Sequence, residues 1–199
     1  MTTSVAGPVS ALVLAAGGST RLGEPKQAVR LDGQTLLRRT TRLAASCVDG
    51  SVNVVIGANA AADRTELADE PVEIHEFARW RQGQAASLSF GLRHIRAGHA
   101  ALVLVVDQYR LNRGHLGALL EAWREAPQCP AAASYSNIEG VPVVWPSGAI
   151  ASLVSSGRPG RDVLAAHRCT TVPLPAARFD VDTPLDLEQL RRFERSNSG

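Results

Sequence analysis

The sequence predicts an α/β fold with a mostly parallel central sheet and helices on both faces, and three observations carry that prediction. Short β-branched apolar runs recur at "PVSALVLAA", "SVNVVIG", "PVEIHEF" and "ALVLVVDQ". Between them lie "QTLLRRTTRLAASCV", "ANAAADRTELA" and "ASLSFGLRHIRA", whose apolar positions return every three or four residues, as on one face of a helix. Apart from "PVEIHEF", the strands are apolar almost throughout rather than alternating, as strands covered from both sides must be. A chain of 199 residues can bury one sizeable core, so a single domain over 1–199 is expected, with its core at about 8–195 and short flexible termini.

In chain order, the first strand stops at two glycines, and the loop "GGSTRLGEPK" leads into the first helix. Strand, helix, strand, helix follows as far as Asp107, which ends the most apolar strand, "ALVLVVD". Beyond it come the helix-like "NRGHLGALLEAWREA", then "PAAASYS" and "VPVVWP" separated by the turn text "NIEG", a hairpin expected to lie beside the main sheet. Two shorter helical pieces, the strand-like "RFDVD" and a last helix from "TPLDLEQLRRFER" complete the reading, with the tail "SNSG" expected to fray. Ligands of open parallel sheets sit outside the carboxyl ends of the strands, so the opening loop and "VVDQYRLN" are expected to face one cleft.

Composition excludes several classes. The net charge of +2 is the difference of 21 basic and 19 acidic residues, with no basic block longer than Arg38–Arg39 or Arg191–Arg192, which leaves no footprint for nucleic acid. The start "MTTSVAGPVS" lacks the regions of a signal peptide, and no apolar run approaches the roughly 18 to 20 residues that span a bilayer, so a cytoplasmic protein with no membrane contact is expected. Cys47, Cys129 and Cys169 are odd in number and without a CxxC, and read as buried thiols rather than a disulfide frame or a zinc site. His75, His94, His99, His115 and His167 show no metal-ligand spacing.

One basic residue stands apart. All but one of the 21 are arginine, and the exception, Lys26, lies in the glycine loop, where a compact ammonium suits a point contact to phosphate. The loop is neither a Walker A, since no lysine and hydroxyl follow Gly23, nor the dinucleotide pattern GxGxxG. Small residues that let backbone N–H groups approach an anion, with Arg21 and Lys26 to neutralise it, suit phosphate; a plain strand-to-helix turn also suits the same text.

The stretch "LAAGGSTRLGEPKQ" also resembles the opening signature LAAGxSxRMGxxKQ of the molybdenum cofactor cytidylyltransferase-like, or MobA-like, NTP transferase family. "QGQAASLSFGL", "VLVVDQ", "GVPVVW" and "FDVDTPLDLEQL" follow in that family's order. The resemblance implies a single-domain Rossmann-like (GT-A-like) nucleotidyltransferase, in which a phosphorylated acceptor attacks the α-phosphorus of an NTP and pyrophosphate leaves. It assigns Ala15, Ala16, Gly17, Gly18 and Ser19 to the base and ribose, and Arg21 and Lys26 to the triphosphate and the charge that develops on the leaving group. Ser87, in the segment Gln84 to Gly91, is the candidate nucleotide contact there, with a helix N-cap as the other reading. Alanines at 15 and 16, where guanylyltransferases of the superfamily show LAGG, favour CTP or ATP as donor.

Nucleotidyl transfer calls for magnesium held by one or two carboxylates and the substrate's phosphates. Asp107, at a sheet's carboxyl edge, is the first expected ligand and a catalytic residue with Arg21 and Lys26. Of Asp180 and Asp182 only one is expected to share the cleft; by resemblance it is Asp182, which could instead cap the helix at Pro184. Departures fall on the acceptor side: "DQYR" brings Tyr109 and Arg110 where relatives read DQP, Val141 replaces a histidine in "GVP", and "SGRPGRD" has Arg158 at an acidic position. Arg110, Arg158 and Arg161 either bind an anionic pterin phosphate or are solvated surface arginines. The expected reaction is Mg-dependent transfer of CMP to a molybdopterin-type acceptor, with a molybdoenzyme or its chaperone as a further partner. The alternatives are transfer to another phosphate, such as a sugar 1-phosphate, and a non-catalytic accessory protein that holds the nucleotide or cofactor.

Overall fold

The computed structural model describes residues 6–166 and 168–197, so His167 and the last two residues of "SNSG" lie outside the described residues. Strand β1 (Val9–Ala15) is buried along its whole length, because helices cover it from both sides. A two-residue ribbon, β2 (Arg30–Leu31) and β3 (Gln34–Thr35), turns through Asp32 and Gly33, both at positive φ, and delivers the chain to α1 (Leu36–Ala45). Thr35 caps that helix, its hydroxyl accepting from the Arg38 N–H at 3.1 Å.

The chain then steps outward through β4 (Val52–Ile56), α2 (Ala60–Glu66) and β5 (Glu73–Glu76). Helix α3 (Gln84–Leu92) carries it back across β1 to β6 (Ala100–Val105) on the other side. Next come α4 (Arg113–Glu125), the hairpin β7 (Ala131–Tyr135) and β8 (Ile138–Trp145), α5 (Ser147–Ser156), α6 (Gly160–Ala165), β9 (Thr170–Pro173) and α7 (Pro184–Asn197). The strands form one seven-stranded sheet in the order β5-β4-β1-β6-β8-β7-β9. Every pairing is parallel except those of β8, which runs against both β6 and β7.

Alternate residues of β1 serve opposite layers. Val9, Ala11 and Val13 pack with Leu37 and Ala44 of α1 and with Leu116, Leu119 and Trp123 of α4. Leu12 and Leu14 pack on the other face with Leu88 and Leu92 of α3, Leu153 of α5 and Leu164 of α6. Each such buried aliphatic side chain contributes about 1.5–3 kcal/mol. A third, smaller core joins Leu22, Leu31, Leu36, Tyr109, Val181 and Leu190, and ties the opening loop and the ribbon to α7.

Two expectations are corrected here. The hairpin does not lie beside the main sheet but is built into it, because β8 pairs directly with β6 through Ala101↔Trp145 and Val103↔Val143. "RFDVD" is not a strand: the pairing partner of β7 is "TTVP", and the chain from Phe179 to Thr183 is irregular. The three cysteines are free, as expected, but partly rather than fully buried.

Candidate active site

Strand β1 feeds β4 on one side and β6 lies on the other, so the carboxyl ends of β1 and β6 open onto the point where the strand order reverses. The loop after β1 and Asp107 after β6 therefore border one cleft of about 500 Å³, which Gly17, Gly18, Ser19, Arg21, Lys26 and Ala16 line. Ala15, the last residue of β1, is buried beneath it.

The loop is held by its own polar atoms. Ser19 takes a positive φ of 52°, and its carbonyl accepts from the N–H groups of Leu22 and Gly23 at 3.1 and 3.2 Å. Its hydroxyl accepts from the Lys26 N–H at 3.0 Å. Gln27, which the sequence left without a role, is almost fully buried, and its side-chain amide donates to the carbonyls of Ala15 and Gly17. The "KQ" pair thus splits its work: Lys26 faces the cleft while Gln27 fastens the loop from behind. Trp80 closes the other side so tightly that a Cβ on Gly18 would meet its ring at 2.9 Å, and the Arg81 guanidinium stacks on that ring at 4.4 Å. Sequence reasoning passed over Trp80 and Arg81; an indole in "ARWRQGQ", in a chain with only three, was the available signal.

A charged cluster sits at the junction. The Lys26 ammonium donates to Asp107 Oδ2 and, at 3.1 Å, to Asp182 Oδ1, while Arg21 donates to Asp182 Oδ2 at 2.8 Å. Arg21 is largely exposed, with a side chain 72% accessible, whereas those of Lys26 and Asp107 are 18% and 12% accessible. Burial by itself would lower the Lys26 pKa, but the charge and hydrogen bonds of Asp107 and then of Asp182 outweigh it and hold it above its ordinary value. The lysine is a fixed cation between two carboxylates.

Asp180 also lines the cleft, so both acids of "DVD" share it, contrary to the expectation that only one would. Residues two apart on extended backbone point to the same side, and the intervening Val181 is the one that turns away, into the third core. Burial first and then the Asp107 carboxylate keep the Asp180 carboxyl above its usual range. Nor does Asp182 cap the last helix. Thr183 and Asp186 form a reciprocal cap, with Asp186 Oδ2 accepting from the Thr183 N–H at 2.8 Å, which leaves the Asp182 carboxylate to Lys26 and Arg21.

Other side chains fall elsewhere than expected. Ser87 lines the cleft, but it is not an N-cap: it stands in the first turn of α3, and its hydroxyl donates to the Gly83 carbonyl at 3.3 Å. Tyr109 neither closes nor lines an acceptor pocket, since it is buried edge-on against Phe179 and Phe193 in the third core. Arg110 lies over Phe179 at 3.6 Å, away from the cleft, and Arg158 is exposed. Of the three arginines, Arg161 alone lines the cleft. Val141 lines it too and gives its carbonyl to the Gln108 amide at 2.9 Å. His75 stacks on His94 with ring centroids 3.8 Å apart, His99 bonds to Ser10, and His115 shares the cap of α4 with Asn112.

Among the described residues no group of three or more His, Cys, Asp or Glu side chains converges on a metal site. Two hard carboxylates, Asp107 and Asp182, do converge on one cation, Lys26. That donor set suits a hard dication such as magnesium, which takes one or two protein carboxylates and completes its shell with phosphate and water. No helix among the described residues is long and apolar enough to cross a membrane.

Known proteins resemble the chain in sequence and in fold. The nicotine blue oxidoreductase of Paenarthrobacter nicotinovorans is 32% identical to the chain over 93% of it and 96% of that protein. A probable molybdenum cofactor guanylyltransferase of Synechococcus elongatus is 35% identical over 58% of this chain and 57% of its own. Among solved structures, a nucleotidyl transferase from Methanothermobacter superposes with a TM-score of 0.80 over 96% of this chain and 99% of that one, at 19% identity. The profile of the MobA-like NTP transferase domain matches residues 11–171. The chain belongs to the MobA-like NTP transferase domain family.

Proposed function

We propose that this cleft binds a nucleoside triphosphate, CTP in the first instance, and with magnesium transfers its nucleotidyl group to a phosphorylated, ring-bearing acceptor. Molybdopterin is the instance that the cyanobacterial relative's name supplies. The observation that carries the reading is the position of Lys26, held between the glycine loop, Asp107 and Asp182. An acceptor phosphate oxygen forms a bond to the α-phosphorus as the bond to the β-phosphate bridging oxygen breaks, and pyrophosphate leaves. Lys26 and Arg21 neutralise the charge that gathers on the departing phosphates. Loop N–H groups and the small residues Gly17 and Gly18 let the phosphates approach the backbone. Asp107 and Asp182 would hold the magnesium, which when bound polarises the phosphate oxygens. Ser87 and Trp80 border the nucleoside portion, and the donor preference rests on Ala15 and Ala16. A molybdoenzyme or its chaperone, in the cytoplasm, is the consumer this reading implies.

Thermal unfolding with CTP, GTP, ATP and UTP, each with and without magnesium, tests the first step. Nucleotide at about 100 times its dissociation constant stabilises by roughly 2.7 kcal/mol. The expected result is a magnesium-dependent shift with CTP that Lys26→Ala abolishes, followed by pyrophosphate release when molybdopterin is added. A shift with GTP alone transfers the reading to guanylyl transfer, the activity in the name of the cyanobacterial relative. A second reading, an oxidoreductase, is favoured by the Paenarthrobacter relative, which matches nearly the whole chain. Oxidation of a reduced nicotinamide nucleotide by a quinoid dye, with no pyrophosphate formed from any NTP, selects it.

A further inference from the structure

Beside the charged cleft lies a second cavity of about 560 Å³, and the two share Leu14, Gln84, Tyr135, Val141 and Arg161. Its floor is apolar: Leu14, Leu88, Val103, Val143, Trp145 and Leu164 come from β1, α3, β6, β8 and α6. The polar side chains that line it are Gln82, Gln84, Arg161 and Asp162, all exposed, and the half-buried Tyr135. Arg161 is exposed, and among the described residues it makes no ion pair, so its charge is available to a ligand in either cavity. The Tyr135 hydroxyl, within 3.5 Å of the Gln108 amide, stands over Gly140, where a Cβ would approach it to 3.3 Å.

We infer that this lobe takes a ring compound by its apolar edge and reads one negative charge on it through Arg161, with Tyr135 as a hydrogen-bonding neighbour. A ring bearing nitrogen lone pairs or N–H groups on its inner edge would leave them unpaired against this floor, a loss of about five- to a hundredfold in affinity for each. A dianion at the rim would meet one arginine and also the carboxylate of Asp162, so a monoanion is matched better. A sugar phosphate, polar on every edge, is rejected by the same floor. The inference departs from the molybdopterin acceptor of the nucleotidyl-transfer reading, because a ring of this description excludes a pterin and its phosphate dianion from this lobe.

Fluorescence titration of the full chain with 8-anilino-1-naphthalenesulfonate, an aromatic monoanion with no ring nitrogen, tests it. One saturable site is expected. Ala85→Phe, which fills the lobe from α3, and Arg161→Leu, which removes the exposed charge, should each weaken binding about tenfold or more at unchanged melting temperature. Excess glucose 1-phosphate and excess pterin-6-carboxylate should leave the dye in place. Wild-type affinity in a folded Arg161→Leu chain, or displacement of the dye by either competitor, overturns the assignment. The two readings separate in the parent chain: dye binding without any nucleotide-dependent shift sinks nucleotidyl transfer and spares the lobe, and a nucleotide-dependent shift without dye binding sinks the lobe alone.

Discussion

The charged cleft and the adjoining apolar lobe share five residues, yet they are held in shape by different forces. The charged side is tied by hydrogen bonds and ion pairs: Ser19 to Lys26, Gln27 to the carbonyls of Ala15 and Gly17, Lys26 and Arg21 to the carboxylates. On the other side the shape comes from packed aliphatic and aromatic side chains donated by five separate elements. Directional bonds fail when one partner changes, whereas an apolar wall tolerates volume-conserving exchange at small cost. The departures in "DQYR", "GVP" and "SGRPGRD" leave the charged cluster intact because none of them is a partner in that network: Tyr109 is buried in the third core, Arg110 lies over Phe179, Arg158 is exposed, and Val141 alone lines the cleft.

The sharpest way to break the comparison is Lys26→Met. It should lower nucleotide-dependent pyrophosphate release by about 2.7 to 4 kcal/mol of barrier, while dye binding in the lobe stays as in the parent chain. A comparable fall in both would show that the two halves act as one unit. Gln27→Leu comes next. It leaves the buried carbonyls of Ala15 and Gly17 without their donor, and should cost about 1 to 3 kcal/mol in equilibrium urea unfolding. A conservative exchange on the lobe wall, Val103→Ile, should cost less.

The smallest effect is a pH dependence confined to the charged side. A lysine whose folded pKa is raised contributes stability that is present in full below its ordinary value of 10.5 and is lost as pH rises through the folded value. Unfolding measured without divalent metal should therefore weaken above about pH 10.5 in the parent chain. Subtracting the curve of Lys26→Met isolates this contribution from those of tyrosine and cysteine. Parallel curves would mean that the ion pairs to Asp107 and Asp182 do not persist in solution.

The charged half was largely readable from the sequence, because it is built on local signals. Two fully apolar strands end at glycines and at Asp107, and a lone lysine sits eight residues beyond Gly18. The sheet placed these together as parallel pairing at the carboxyl edge requires. What escaped was decided by distant partners. Tyr109 reads as an acceptor residue until Phe179 and Phe193 arrive from far along the chain to bury it. Strand β9, short, half exposed and ending in proline, carries no apolar run to announce it. "DVD" imitates a strand because Val181 is buried, although the core that receives it belongs to α7 and the opening loop. Arg161 was named among three arginines, and only the packing of α6 distinguishes it from the other two.

The bridging ammonium has a practical consequence. Lys26 is the only lysine, so apart from the amino terminus it is the single primary amine in the chain. Reductive methylation with isotopically labelled formaldehyde would install one side-chain probe between the glycine loop, Asp107 and Asp182. That methylated amine, at the centre of the cleft, would give a single side-chain resonance that follows nucleotide, metal and protonation without any substitution in the chain.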